Sequence, residues 1–183
     1  MSGTAGHGMT MRHWYLLTLV GEDRPGIVAG ITGALYAGGC NLGEASMIRL
    51  GGNFTISMMV QHDGGADALQ ALARPVADGL GLHSHVDPIQ GELHRHVVPD
   101  VRIRVHGADR AGIVAQVTGV LARAGLDITD LESDVAGTPS RPVYVLHIEG
   151  VARAGIDALR QALDPVADSG VEVSLDPIDT LVG

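Results

Sequence analysis

Two short segments of the chain carry residue types that suit the binding of an anion. Each places Asp, Arg and Gly directly before an apolar stretch of helical period: Asp23, Arg24, Pro25, Gly26, Ile27 and Val28 in one, and Asp109, Arg110, Gly112, Ile113 and Val114 in the other. The first N–H groups of a helix have no intrahelical partner, and the helix dipole adds about half a positive charge there. Either segment could therefore hold a carboxylate or a phosphate, with the glycine allowing close approach to the backbone.

The same residues also have a purely structural explanation. Asp and Gly at a junction between a strand and a helix are what a well-capped helix needs. Pro25, with its preset φ, suits the start of the helix. The sequence leaves both interpretations open.

Histidine pairs and one cysteine are the other candidates for chemistry. A strand would carry both rings of His83 and His85, or of His94 and His96, on one face, where they could begin a metal site. No further ligands accompany them, so we expect solvated histidines and no metal. We interpret Cys40 as a small buried apolar residue, because no partner cysteine or nucleophile motif accompanies it. Since no set of nucleophile, base and orienting group is recognisable, we expect neither catalysis nor a cofactor.

The elements that must position these residues occur twice, because the chain repeats itself. GEDRPGIVAGITGALYAGGCNLGE, from Gly21, returns 86 positions later as GADRAGIVAQVTGVLARAGLDITD, from Gly107. Around GTPSRP, from Gly137, the offset becomes about 90, which predicts a longer loop in the second copy. We expect a flexible tail over 1–11, one module over 12–92, a linker over 93–99 and a second module over 100–183.

Within each copy the hydrophobic period alternates between that of a strand and that of a helix. Val101, Ile103 and Val105 alternate with polar residues as in a half-buried strand, and a helical stripe follows. Two strands joined by a glycine pair come next, over 41–50 and 53–61 in the first copy. A second helix then contains Pro75 or Pro165, where a kink is expected, and a short strand ends the copy.

This order, βαββαβ, predicts an α+β fold of two ferredoxin-like modules. Each would be a four-stranded antiparallel sheet with both helices on one face. The other sheet face and the edges then favour association with a second module, in the same chain or in a partner subunit.

Charge and hydropathy exclude several classes of partner. The chain has 183 residues, with 12 Lys and Arg against 21 Asp and Glu, and a net charge of −9 that opposes direct binding to nucleic acid. No apolar run approaches the roughly 20 residues that span a bilayer, and the first residues lack the apolar core of a secretory signal. We therefore expect a cytoplasmic protein that does not enter a membrane.

The two quoted segments resemble the opening of ACT domains, which are regulatory modules that bind amino acids or similar small molecules. The resemblance covers nearly the whole chain and implies a ligand at an interface between modules. It would touch the loop after the first strand and the start of the second strand. By matching position, the site residues are the two segments given above, together with Asn41 in the first copy and Asp127 in the second.

The resemblance also assigns roles within this site and favours the first copy as the binder. Asn41 would accept a hydrogen bond from a ligand ammonium, while the helix start holds its carboxylate. Ala111 stands in the second copy where Pro25 stands in the first, and Asp127 stands where Asn41 does. The carboxylate of Asp127 would favour an ammonium but repel a nearby ligand carboxylate.

As a chain of little beyond two such modules, the protein is similar to the glycine cleavage system transcriptional repressor group. This implies a non-catalytic regulatory protein that binds an amino acid, modulates a partner protein and forms a homodimer. The alternative is a separately encoded regulatory subunit, or a remnant, of an ACT-containing enzyme of serine or one-carbon metabolism, such as certain phosphoserine phosphatases or formyltetrahydrofolate deformylases. After the last predicted strand of the second module only residues 179–183 remain, so we expect no catalytic domain in this chain.

Overall fold

The computed structural model of the chain describes residues 13–90, 97–108, 112–138 and 141–178. The chain divides into two compact units, residues 1–93 and 94–183, here called unit 1 and unit 2. Within the described ranges, no helix is both long and apolar enough to cross a membrane. The predicted tail and the histidines His94 and His96 lie outside the described residues.

Unit 1 has the predicted order of elements. They are β1 His13–Glu22, α1 Ile27–Ala37, β2 Asn41–Leu50, β3 Asn53–His62, α2 Ala66–Gly79 and β4 Leu82–Pro88. The strands form one sheet in the order β2-β3-β1-β4, and all neighbours are antiparallel. Gly51 and Gly52 join β2 to β3 with φ angles of 57° and 79°, as the predicted tight hairpin requires.

Unit 2 repeats this architecture. Its elements are β5 Val101–Ala108, α3 Ile113–Arg123, β6 Leu126–Thr138, β7 Arg141–Ala152, α4 Ile156–Ala167 and β8 Glu172–Pro177. The sheet order is β6-β7-β5-β8, again antiparallel throughout. The prediction of an α+β chain with two βαββαβ modules is confirmed.

Each unit has its own hydrophobic core between the sheet and the helices. Alternation along β1 buries Leu17 and Leu19 completely and leaves Val20 on the opposite, open face of the sheet. The predicted stripe of α1 closes this core with Ile27, Ile31 and Leu35, and α3 contributes Ile113, Val117 and Leu121 to the core of unit 2. The described residues include no buried polar or charged side chain, so both cores are held together by apolar packing.

The extra residues of the second copy do not form a longer loop, and that prediction was wrong. Leu50 pairs with Asn53 around the glycine turn, whereas the ladder of unit 2 continues for two further pairs, Gly137 with Pro142 and Thr138 with Arg141. Two residues added to each strand account for the change of offset, and the connection again spans two positions. Hydrogen-bonded strand pairs satisfy backbone groups that a longer loop would have exposed.

Of the prolines, Pro25 lies differently from the prediction. α1 begins at Ile27 with Gly26 as its N-cap, so Pro25 precedes the helix and does not occupy its first position. α2 runs without interruption through Pro75, and α4 through Pro165. Each proline lacks the N–H that would bond the carbonyl four residues earlier, and a kink at Pro75 or Pro165 stays a prediction.

The open faces of the two sheets differ in chemistry. Leu16 pairs with Met59 across β1 and β3, and the equivalent position of unit 2 pairs Arg102 with Glu149. This second pair is an ion pair with a nitrogen to oxygen distance of 2.7 Å. The same sheet register therefore carries an apolar pair in unit 1 and a charged pair in unit 2.

Candidate functional site

The junction between β1 and α1 depends on a glycine in a left-handed conformation. Gly26 has φ 89° and ψ −3°, caps α1 without any side-chain hydrogen bond, and accepts the first helical bond from Gly30 at 2.9 Å. Other residues pay an energetic penalty for positive φ. A Cβ added at Gly26 would meet no atom within 4 Å, so the glycine is required by its φ angle and the space beside it is open.

That space is an open depression of about 430 Å³ at the start of α1, here called the unit 1 depression. Its lining contains the whole predicted segment and part of the sheet beside it: Asp23, Arg24, Pro25, Gly26, Ile27, Val28, Ala29, Met47, Arg49 and Phe54. Charged groups lie next to apolar ones, a combination typical of sites for small polar ligands. The six residues predicted in this segment are thus brought together.

An ion pair joins the loop to the sheet. The guanidinium of Arg49 donates to the carboxylate of Asp23, whose side chain is 22% exposed against 69% for Arg49. The backbone N–H of Asp23 donates to the carbonyl of Gly52 at 3.1 Å, which fastens the loop to the β2–β3 hairpin. Arg24 points to a different acceptor, Glu22, at 2.7 Å. One acid and one base therefore face each other at the edge of the depression.

The helix-capping explanation of Asp23 does not hold in the structure. A capping side chain accepts a hydrogen bond from the first turn of its helix, but α1 has no side-chain cap. The carboxylate of Asp23 is turned to Arg49 instead. The N–H groups of Ile27 and Val28 remain in the first turn, where they lack intrahelical acceptors.

Unit 2 builds the corresponding junction with fewer charges among its described residues. Gly112 caps α3 with φ 87° and ψ 1°. An open depression of about 480 Å³ beside it is lined by Gly112, Ile113, Val114, Ala115 and Tyr144. The predicted residues Asp109 and Arg110 lie outside the described ranges.

Sheet register identifies the unit 2 residue at the position of Arg49. Arg49 pairs with Phe54, which pairs with Gly21, and Val135 pairs with Tyr144, which pairs with Gly107. Val135 is thus the counterpart of Arg49. The cation that faces the unit 1 depression is replaced by an aliphatic side chain in unit 2.

Within one unit the structure does not bring Asn41 to the predicted loop. Asn41 pairs with Gln61, which pairs with Trp14 near the beginning of β1, whereas the loop follows Glu22 at its end. At about 3.3 Å per residue the two places are roughly 25 Å apart. Asn41 donates its amide N–H to Gln61 Oε1 at 3.1 Å. Because of its distance from the loop of its own unit, Asn41 could contact the same ligand as such a loop only if that loop belonged to a different module.

Asp127, the counterpart of Asn41, is likewise separated from the helix start of its own unit. It pairs with Val151 at the far end of the ladder. Its carboxylate accepts a hydrogen bond from Arg153 at 2.6 Å. The predicted repulsion of a ligand carboxylate by Asp127 therefore does not operate within unit 2.

Sequence reasoning missed four residues of the unit 1 depression: Ala29, which directly follows the predicted segment, and Met47, Arg49 and Phe54 on the strands. The three strand residues are distant in sequence from Asp23, but the strand order β2-β3-β1 places the end of β2 at the same edge of the sheet as the end of β1, with the start of β3 between them. The two-residue turn at Gly51 and Gly52 contained the signal, because a tight hairpin fixes which residues share a row. Together with the split βαβ topology, that register could have identified Arg49.

The predicted pair His83 and His85 lies away from the unit 1 depression. His83 and His85 share the open face of β4, opposite Val20 and Thr18, and His85 contacts Asp87 at 3.2 Å. Across the part of the chain that the structure describes, no group of three or more His, Cys, Asp or Glu side chains could hold a metal ion.

Cys40 is buried in the core of unit 1, as predicted. Burial raises the pKa of its thiol, which disfavours the reactive thiolate. At the equivalent position of the repeat stands Leu126, and both residues are 7% exposed. Cys40 therefore occupies an ordinary core position.

Comparison with known families gives the same description for both units. Residues 13–87 match one ACT domain family, and residues 101–168 match another family that is also described as ACT domain. Each match falls within one compact unit. The first match begins with β1, and the second ends one residue after α4.

Relatives with the same two-unit extent are also found. The glycine cleavage system transcriptional repressor of Escherichia coli K12 is 24% identical over 151 residues, which is 82% of this chain and 80% of that protein. A shorter relative, UPF0237 protein YjhC of Lactococcus lactis, is 36% identical over 83 residues, 44% of this chain and 95% of that protein. The solved structure of an unknown protein from Galdieria sulphuraria, 24% identical, superimposes with a TM-score of 0.73 over 92% of this chain and 99% of its own.

Proposed function

The chain belongs to the ACT domain family, and from that premise we propose that it is a non-catalytic regulatory protein that binds an amino acid and modulates a partner protein. The unit 1 depression is its ligand site. Asp23, Arg49 and the first turn of α1 form the polar part of this site, and Met47 and Phe54 form its apolar wall.

One observation carries this proposal. The first turn of α1 has no side-chain cap, and its N-cap Gly26 has open space beside it. The uncapped N–H groups and the helix dipole together favour a carboxylate at this place. The structural alternative assigned Asp23 to the cap, and the ion pair with Arg49 removes the main reason for that assignment.

The regulatory part of the proposal is supported by the relative that shares both units, a transcriptional repressor by name. With a net charge of −9, direct contact with a phosphate backbone is unfavourable. We therefore assign any effect on transcription to a protein partner in the cytoplasm.

Association into a homodimer is part of the proposal and is supported by the edge strands. All residues of β2 are exposed, among them Leu42, Met47, Ile48 and Leu50. An edge strand of ten residues with four exposed large apolar side chains offers unpaired backbone groups together with hydrophobic surface. A module added there could bring a second Asn41 to the ligand.

Isothermal titration of the purified chain with the twenty amino acids tests the proposal. We expect at least one to bind, and Asp23→Asn to weaken that binding tenfold or more. Asp109→Asn, the same change at the matching position of the repeat, serves as the control and should leave the affinity of this site unchanged. Absence of binding by all twenty amino acids would contradict the proposal.

A further inference from the structure

The ion pair at the edge of the unit 1 depression determines which charge pattern a ligand needs. Asp23 and Arg49 compensate each other's charge. We propose that the pair opens around a zwitterion, so that Arg49 and the uncapped N–H groups of α1 together bind the carboxylate of an α-amino acid, while Asp23 binds its ammonium group. This inference rests on the proposed function and adds a selectivity to it.

A ligand with only one charge would leave the site uncompensated. A simple carboxylate that binds Arg49 displaces Asp23 from it. Two carboxylates then lie near one guanidinium, and their like charges repel. A simple amine that takes Asp23 releases Arg49 in the same way. A zwitterion replaces one ion pair by two, so both protein charges keep a partner and the net charge of the site does not change.

Arg49 is suited to this exchange by its chemistry and its position. A guanidinium binds a carboxylate through two parallel N–H···O bonds, which fixes the orientation of the ligand. The side chain of Arg49 is 69% exposed, so its re-orientation costs little packing. Asp23 is held by its backbone bond to Gly52 and provides the fixed half of the pair.

The remaining lining limits the ligand side chain. Met47 is 50% exposed and presents apolar surface, Ile27 and Phe54 are each only 2% exposed, and Arg24 is paired with Glu22 at 2.7 Å. A charged ligand side chain would therefore have to break a second ion pair, that of Arg24 with Glu22. The site accordingly favours an α-amino acid with an uncharged side chain.

Unit 2 provides the internal contrast. Val135 occupies the place of Arg49, and the wall contains Tyr144 in place of Phe54. The aliphatic side chain of Val135 cannot form an ion pair with the carboxylate of a ligand. On the residues that the structure describes, we therefore assign zwitterion selectivity to unit 1.

Titration calorimetry on the full chain with glycine, L-alanine, L-serine and L-valine tests the inference. Each is compared with its two half-ligands, the compound without the amino group and the compound without the carboxyl group, such as propanoate and ethylamine for L-alanine. We expect one of these amino acids to bind at least tenfold more tightly than either half-ligand. A half-ligand that binds as tightly as the whole amino acid would overturn the inference.

Variants separate the role of Arg49 from general effects of surface charge. Arg49→Gln should weaken binding of the amino acid tenfold or more and abolish its advantage over the half-ligands. Arg74→Gln is the matched control, because Arg74 is 71% exposed and forms an i,i+4 ion pair with Asp78 on α2. It should bind as the unmodified chain does. Circular dichroism verifies that both variants are folded.

Three failures are distinguishable. Binding that survives Arg49→Gln without loss overturns the inference and leaves the proposed function in place. If no amino acid binds the unmodified chain, the proposed function fails and the inference fails with it. If only amino acids with charged side chains bind, the site still binds amino acids but the assigned side-chain class is wrong.

Discussion

Unit 1 and unit 2 begin their first helix in the same way and surround it with different side chains. Gly26 and Gly112 have φ angles of 89° and 87°, and neither helix has a side-chain cap. Beside them stand Arg49 in unit 1 and Val135 in unit 2. Duplication has kept the backbone that exposes helical N–H groups, while the residue facing them has a charge in one copy only.

The open sheet faces differ in the same sense at other positions. Leu16 and Met59 of unit 1 correspond to Arg102 and Glu149 of unit 2. Both faces tolerate the exchange because these side chains point away from the cores. The inward-facing side chains therefore specify the fold, and the outward-facing side chains are free to acquire separate functions.

The largest effect expected from this comparison concerns the cores. Leu17 and Ile103 are equivalent and completely buried. Leu17→Ala and Ile103→Ala should each cost about 2–5 kcal/mol in the stability of their own unit, because each leaves a cavity. Hydrogen exchange followed by mass spectrometry assigns the loss of protection to strands of unit 1 or unit 2. A cost confined to one of the two variants would contradict the equivalence of the cores.

A smaller effect is expected at the two helix starts. Gly26→Ala and Gly112→Ala force a Cβ into a left-handed conformation, which costs about 1–2 kcal/mol. The added atom meets nothing within 4 Å at either site, so strain is the only direct penalty. Thermal unfolding with hydrogen exchange at α1 and α3 measures it. Gly33→Ala, in the middle of α1, is the control and should not destabilise the helix, since alanine has the higher helix propensity.

The smallest effect is expected on the open face of unit 2. Arg102→Leu combined with Glu149→Met transfers the apolar pair of unit 1 to this position. Partly exposed ion pairs contribute about 0–1 kcal/mol, so stability in low salt should change by less than 1 kcal/mol. Denaturation in urea at low and high salt measures this, and the variant should respond less to salt. A loss of several kcal/mol would mean that the charged pair helps to specify the fold of unit 2.

The fold could be predicted from the sequence because local signals agreed with one another. The duplicated segments gave the order of elements, and Gly51 with Gly52 defined the hairpin between β2 and β3. Errors arose where one residue type suits several structures. Pro25 fits the first position of a helix but lies before the N-cap, and four additional residues in the second copy lengthen two strands instead of a loop.

The candidate site could be predicted only in part, because three of its ten lining residues, Met47, Arg49 and Phe54, come from β2 and β3. The loop from Asp23 to Val28 is continuous in sequence and was recognisable from its composition. Arg49 joins it through the register of β2 with β3 and of β3 with β1, a relation that composition does not contain. Asn41 illustrates the reverse case, since a position carried over from the family lies at the opposite end of the sheet in its own unit.

The most direct test of the account is a titration of the ¹⁵N-labelled chain with the amino acid that binds best, followed by ¹H–¹⁵N correlation spectra. If the ligand binds in unit 1, we expect the largest shift changes at the amides of Ile27, Val28 and Ala29 in the first turn of α1. We expect a further change at the guanidinium Nε–H of Arg49. Ile113, Val114 and Ala115 at the start of α3 should shift much less. Shift changes centred on α3, or equal in both units, would contradict the assignment of the ligand site to unit 1.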